Sequence, residues 1–367
     1  MSKQVKRNDL REGSLYPPPS ASGSEVLLRV PGADLSTLDK VMVIASSLFF
    51  VGSIAWVPLL FRWLWRKWKK TKDSSRRALY ATILIALLGL KIVGPHRHPS
   101  VGALLRLKKW GLWKSWLRYT ALEVVADTPA AKHKLLRGKQ AILAVSPHGL
   151  FPFALGFAAL TEQTFQAFGF FRPVVATATN LFPFVNTIIK WLFAVDASWS
   201  SVDQALRNGD RIGVAPGGIA EMFEGFPKPG THPDNEYIIS KRQGFIKMAV
   251  EHGLPIFPVY CFGASKMLKR LQLPNIVEKI SKVMRMSIII FFGAWGLPIP
   301  FRQRLLYTVG EPIYPSYVEE GITKPTDPII LQRQVNDMHE KYCKSLESMF
   351  DRHKTSYGWG HKTLKLI

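Results

Sequence analysis

Acidic residues are scarce and cysteine is nearly absent: 26 Asp and Glu face 49 Lys and Arg, and 367 residues hold 2 Cys. Two separate cysteines, Cys261 and Cys343, exclude a disulfide framework and a cysteine-rich metal site, and no metal is expected. No Asn-x-Ser/Thr sequon occurs. Both absences fit a main domain that faces a reducing compartment. There is no Gly-x-Ser-x-Gly elbow, so a serine nucleophile of the hydrolase kind has no turn to occupy. No cleavable leader is expected at the start. No internal repeat and no known nucleic-acid-binding motif appears, and nucleic acid is not expected as a partner. The basic excess must therefore be read from where it lies.

Residues 1–140 hold 25 of the 49 basic residues and 8 of the 26 acidic ones. The cations thus sit beside long apolar stretches, which suits an anionic membrane surface where each contributes roughly 1 kcal/mol. Residues 1–40 are polar, include Pro17-Pro18-Pro19-Ser20, and read as a disordered tail. Val41 to Phe61 is 21 residues without a charge, about the ~20 that cross a hydrocarbon core. Trp56, Trp63, Trp65 and Trp68 gather near its end, as interfacial aromatics do. The linker Arg62 to Arg77 then carries eight cations against Asp73, and Ala78 to Leu90 gives 13 uncharged residues before Lys91. Because 13 is short for a crossing, residues 41–93 are expected to be membrane-embedded as one or two helices, the second spanning or re-entrant. The main domain is expected in the cytosol; the charge rule puts the linker there too if the second segment re-enters, whereas two full spans would put the linker in the lumen. Residues 94–140 set Trp110, Trp113 and Trp116 among further cations and read as an interfacial segment.

From residue 141 onward short β-branched runs alternate with helical segments. Strands are expected at Ala141–Val145, Pro173–Ala176, Arg211–Ala215, Pro255–Phe262, Ser287–Phe292 and Leu305–Val309. Helices are expected at Phe184–Phe193, Ser200–Arg207, Gln243–His252, Ser265–Met284 and Asp327–Arg352. In the last, Leu331, Val335, Met338, Tyr342, Leu346 and Met349 recur at helical spacing. The alternation predicts an α/β fold with a mostly parallel sheet over 141–367.

Three stretches carry chemistry. In Ala141-Ile-Leu-Ala-Val-Ser146-Pro147-His148-Gly149 a buried strand runs into a turn holding one ionisable residue, where open α/β sheets bind ligands. The positive end of the helix expected from Phe151 disfavours imidazolium, leaving His148 neutral and able to take a proton. In Arg211-Ile-Gly-Val-Ala-Pro-Gly217-Gly218-Ile-Ala-Glu221 a second strand enters a Gly-Gly turn. Its backbone N–H groups can approach an oxyanion closely, and a carboxylate follows. In Lys241-Arg242-Gln-Gly244-Phe-Ile-Lys247 three cations stand at a helix start, a ready site for phosphate.

In this order, these stretches resemble the type-2 diacylglycerol acyltransferase family, with its monoacylglycerol and wax-alcohol relatives. The resemblance covers roughly 140 to 315. It includes Pro147-His148-Gly149, Asn180, Ser198, Asp203, Gly217-Gly218-x-x-Glu221, Arg242-x-Gly244-Phe245, Pro258, Phe262-Gly263 and Val309-Gly310-Glu311-Pro312-Ile313. Departures are Ser146, where the family has a first His, Met222 where it has Ser, and Ala264 where it has Glu. The His-x4-Asp pair of related glycerolipid acyltransferases is also absent, because that position is Phe153.

The resemblance implies transfer of a long-chain acyl group from acyl-CoA, a co-substrate rather than a bound cofactor, to diacylglycerol. His148 is then the base, Glu221 its orienter or a hold on the acceptor, and Gly149, Gly217 and Gly218 the oxyanion turn. Lys241, Arg242 and Lys247 bind acyl-CoA. The alternatives are the same chemistry on monoacylglycerol, a fatty alcohol or a lysophospholipid, or a non-catalytic lipid-binding scaffold. The expected partners are acyl-CoA, a neutral lipid acceptor and the membrane, with self-association left open. The expected place is the endoplasmic reticulum membrane, with the lipid droplet as a second one.

Overall fold

The computed structural model describes residues 21, 23–32, 35–93, 100–138, 140–177, 179, 183–284 and 288–367. Eight strands form one sheet: β1 Glu25–Arg29, β2 Glu123–Ala126, β3 Ile142–Ser146, β4 Arg172–Val175, β5 Val195–Asp196, β6 Ile212–Val214, β8 Ile256–Phe262 and β11 Leu306–Val309. Two short pairs stand apart, β7 Asn235–Ile238 with β12 Thr363–Leu366, and β9 Lys269–Arg270 with β10 Phe291–Phe292. The spatial order in the large sheet is β1-β2-β11-β8-β3-β6-β4-β5. The sheet is mixed. Pairs β1–β2 and β11–β8 are antiparallel, and the other five neighbours are parallel.

The strand sequences explain the layering. Successive residues in a strand point to opposite faces, and both faces here are covered. Leu143, Val145, Phe257, Val259 and Tyr307 join Trp113, Trp116 and helix Phe153–Leu160 on one side. Ile142, Ala144, Ile256, Tyr260 and Phe262 join helices Gly244–His252 and Pro328–Tyr357 on the other. The long C-terminal helix starts at an Asp327 cap with Pro328 at its first position and stops at Gly358 in the left-handed region. Its buried Val335, Met338, Tyr342, Leu346 and Met349 are the stripe that its spacing predicts.

Several expectations need correction. The domain does not begin at 141, since β1 and β2 both belong to its sheet. Residues 25–29 therefore leave the disordered tail, and residues 1–20 lie outside the described residues. The interfacial segment is partly core: Trp113 and Trp116 are buried, and only Trp110 is exposed. Helix Ser265–Met284 divides into a 3-10 turn at Ala264–Lys266, strand β9, and a helix confined to Asn275–Met284.

The straight segment expected over Val41 to Phe61 is bent. Helix Thr37–Ser46 runs through a π-turn, Ser47–Val51, before Ser53–Lys70, and the two parts meet at 63°. No single helix among the described residues is long and apolar enough to cross a membrane, though that bent pair passes by length and composition. The first half is pinned to the domain. Buried Asp39 accepts from Ser115 Oγ at 2.7 Å and pairs with Arg118 at 3.3 Å, while Trp116 Nε1 donates to Ser46 Oγ at 2.9 Å. Beyond the bend Ser53–Lys70 packs on Ser74–Val93, with Lys67, Lys69 and Arg77 over the rings of Trp63, Trp65 and Trp68.

Candidate active site

Strands β3 and β6 are parallel neighbours, with Ala144 beside Val214. Their C-terminal ends therefore release two turns side by side, one with His148 and one with Gly217-Gly218. That is the edge at which parallel sheets place ligands. A third turn, after β8, closes the group: a Cβ on Gly149 would lie 3.0 Å from the Ala264 carbonyl oxygen. Gly149 itself is at φ +70°, a conformation natural to glycine.

The His148 ring is held by the residue that follows it. Its Nδ1 lies 2.8 Å from the Gly149 carbonyl oxygen. A carbonyl only accepts, so Nδ1 carries the proton and Nε2 is left as the acceptor, the form a general base needs. The imidazole's proton affinity lies below its ordinary value, because the group is desolvated and because the Arg242 cation is near; the Gly149 bond pulls the other way. The following helix starts only at Phe153. Desolvation and Arg242, rather than the helix dipole expected from the sequence, keep the ring neutral.

Glu221 acts on the backbone. Its Oε1 accepts the His148 N–H at 2.5 Å and its Oε2 accepts the Ile239 N–H at 3.2 Å. It therefore fixes the His148 turn, and the part of orienting the ring belongs to the Gly149 carbonyl. Burial raises the Glu221 carboxyl to about 7, against the two N–H bonds and Arg242. Gly217 is required by this contact, since a Cβ there would lie 1.8 Å from Glu221 Oε2. Gly218, at φ +49°, donates its N–H to the Ala215 carbonyl at 3.0 Å. That amide is committed inside the turn and is withdrawn from the oxyanion role.

Of the three cations, Arg242 reaches the turn. Its Nη1 would be 2.8 Å from a Cβ on Gly218, and its charge acts on both His148 and Glu221. Lys241 is exposed beside it. Lys247 is engaged elsewhere, 3.9 Å from Glu251 and over the Trp199 ring at 5.4 Å. Other motif residues are structural. Ser198 caps helix Trp199–Arg207, and Asp203 pairs with Arg207 and His252. Asn180 lies outside the described residues. Behind the turn, Ser146 Oγ is 3.4 Å from Tyr342 Oη. Sequence reading assigned Tyr342 to the core stripe alone, and nothing in that spacing marks its hydroxyl.

No group of three or more His, Cys, Asp or Glu among the described residues is placed to hold a metal ion. An imidazole on one strand end, the Gly217 amide on the next and the Arg242 guanidinium near both suit attack of a hydroxyl on an activated acyl carbon. The sequence model described as "Diacylglycerol acyltransferase" matches residues 78–367. Diacylglycerol O-acyltransferase 2 of Danio rerio is 28% identical over 282 residues, 71% of this chain and 72% of that one. Acyl-CoA wax alcohol acyltransferase 2 of Homo sapiens is 28% identical over 271 residues, 69% and 75% of the two chains. Diacylglycerol O-acyltransferase 2 of Homo sapiens is 24% identical over 320 residues, 82% and 71%.

Proposed function

The chain belongs to the diacylglycerol acyltransferase family, and from that membership we propose a membrane-bound enzyme that moves a long-chain acyl group from acyl-CoA to diacylglycerol. The observation that carries the reading is the contact of His148 Nδ1 with the Gly149 carbonyl, which leaves Nε2 as the ring's acceptor, on a turn beside Gly217-Gly218. The acceptor hydroxyl attacks the thioester carbon while its proton passes to His148 Nε2. Amides at Gly149 and Gly217 stabilise the tetrahedral oxyanion, worth typically ~2.7–4 kcal/mol per donor. As the C–S bond breaks, His148 returns the proton to the CoA sulfur. Arg242 receives the CoA phosphates, with Lys241 beside it. The protein's own groups account for each proton, and acyl-CoA is the co-substrate.

Membrane attachment follows from the substrates, since acceptor and product are too apolar to leave a bilayer. Exposed Leu59, Leu79, Ile85 and Leu88 on the hairpin Ser53–Lys70 and Ser74–Val93 support that placement. The endoplasmic reticulum, with the catalytic turns on the cytosolic side where acyl-CoA is made, is the compartment we assign. The test of the acceptor is a competition. Microsomes bearing the chain, given labelled acyl-CoA with diacylglycerol, monoacylglycerol and fatty alcohol together, should put most label into triacylglycerol. Label predominantly in wax ester would assign the alcohol instead.

Arg242 separates donor from acceptor. Arg242→Ala should raise the acyl-CoA KM by ~1.5–3 kcal/mol, the loss of a charged hydrogen bond. Arg242→Lys should raise it less, since the charge stays while the paired geometry goes. If the acceptor constant alone moves, Arg242 serves the acceptor and the donor assignment is wrong.

A further inference from the structure

The excursion between β9 and β10 carries a face that acyl transfer does not use. On helix Asn275–Met284, Ile276, Ile280 and Val283 recur at spacings of four and three, so they form one stripe. The stripe points outward, with exposures of 61%, 42% and 84%. The inward side is mixed: Val277 is half-buried, Ser281 is fully buried and accepts the Ile288 N–H at 3.0 Å, and Glu278 lies 3.8 Å from Lys228. An ordinary surface helix buries its apolar stripe and exposes its polar face. This one leaves a three-residue apolar stripe facing outward.

The surroundings extend the pattern. Leu271 and Ile290, bonded through their backbones at the foot of the helix, are both exposed, and so is Trp295 at 76%. Trp295 sits at φ +56°, a conformation a bulky residue seldom takes. Its turn abuts the bend of the N-terminal helices: a Cβ on Gly52 would lie 3.3 Å from Pro298. Single exposed apolar residues are unremarkable, but a run of this kind marks an interaction surface. Lys279 stands exposed alongside the stripe, a position that matches anionic headgroups. The approach of Pro298, just past the Trp295 turn, to the Gly52 bend that leads into the apolar hairpin, and the exposed tryptophan itself, point to the same occupant.

We propose that helix Asn275–Met284, with Leu271, Ile290 and Trp295, is a second membrane-contact element that lies in the interface of a bilayer bearing anionic headgroups. The proposal rests on the membrane-bound reading and adds a site far along the chain from the N-terminal hairpin. It gives the acyltransferase domain its own hold on the surface from which the acceptor comes.

The experiment uses the full chain with Cys261 and Cys343 replaced and one environment-sensitive fluorophore, at Val283→Cys or, as control, at exposed Glu320→Cys. Vesicles of phosphatidylcholine and phosphatidylserine carry acyl-chain-brominated lipid as one quencher, and aqueous iodide is the other. Flotation with the vesicles reports membrane attachment as a whole; failure there removes that reading and this proposal together. With flotation intact, the Val283 probe should be quenched several-fold more by brominated lipid than the Glu320 probe. Ile280→Asp should abolish that quenching, and Lys279→Glu should weaken it only when phosphatidylserine is present. Quenching of the Val283 probe by iodide alone would overturn the proposal. Protection from both quenchers would also overturn it, because a second copy of the chain would then cover the stripe.

Discussion

His148→Ala should lower the acyl-transfer rate by ~10²–10⁴, the usual share of a general base, while the chain still folds and reaches membranes. The ring is half-buried, and among the described residues its hydrogen bond goes to its neighbour's carbonyl, so its loss removes chemistry more than structure. The pH profile gives an independent check. Desolvation first, and then Arg242, hold the imidazole below its ordinary value. The acid limb of the rate should therefore lie below the usual imidazole range of about 6.5. Arg242→Ala removes a nearby positive charge and should move that limb upward. A limb at or above the ordinary value in the wild type, unmoved by Arg242→Ala, would contradict the assignment.

The second large effect belongs to Glu221. Glu221→Ala leaves the His148 and Ile239 N–H groups without their acceptor, at ~1–3 kcal/mol for each one left buried. Activity should fall with stability, because the turn that aims His148 is released. Gly217→Ala should approach the same outcome without touching the carboxylate's chemistry. Its backbone, at φ −64°, accepts alanine readily, but the new methyl would meet Glu221 at 1.8 Å. Glu221→Gln keeps one acceptor oxygen and should be milder. It also carries a pH signature. The folded carboxyl, at about 7, lies above its unfolded value near 4.5, so the folded state holds the proton more tightly. That stabilisation is full below the unfolded value and is lost as pH rises through about 7. Wild type should therefore lose thermal stability relative to Glu221→Gln across this window. A difference independent of pH would mean that Glu221 does not titrate there.

The parts legible in the sequence were those where burial on both faces leaves an apolar run. β3, β6, β8 and β11 fall within a residue of their expected ends. Strand β1 was hidden because Glu25-Val-Leu-Leu-Arg29 is an edge strand in a polar context, half-exposed on its pattern. Trp113 and Trp116 illustrate a true ambiguity, since tryptophan among cations reads alike at a headgroup layer and beside a core. At the site, His148 and the Gly-Gly-x-x-Glu turn could be found from their chemistry. What holds them could not. Every residue has a carbonyl and an amide, so no residue type announces that Gly149 sets the tautomer or that Glu221 grips backbone N–H groups.

Lys247 shows the same limit from the other side. A helix start with three cations predicts a phosphate site, yet Lys247 is four residues from Glu251 and is drawn to it. Only the fold tells which cation turns toward the Gly217-Gly218 turn, and it is Arg242.

On this reading the chain makes triacylglycerol through His148. Its most direct test is expression in cells that lack neutral-lipid synthesis, with lipid classes then separated and counted. The wild-type chain should restore triacylglycerol, and His148→Ala, present in membranes at equal amount, should not. Equal triacylglycerol from both proteins, or none from either, would contradict it.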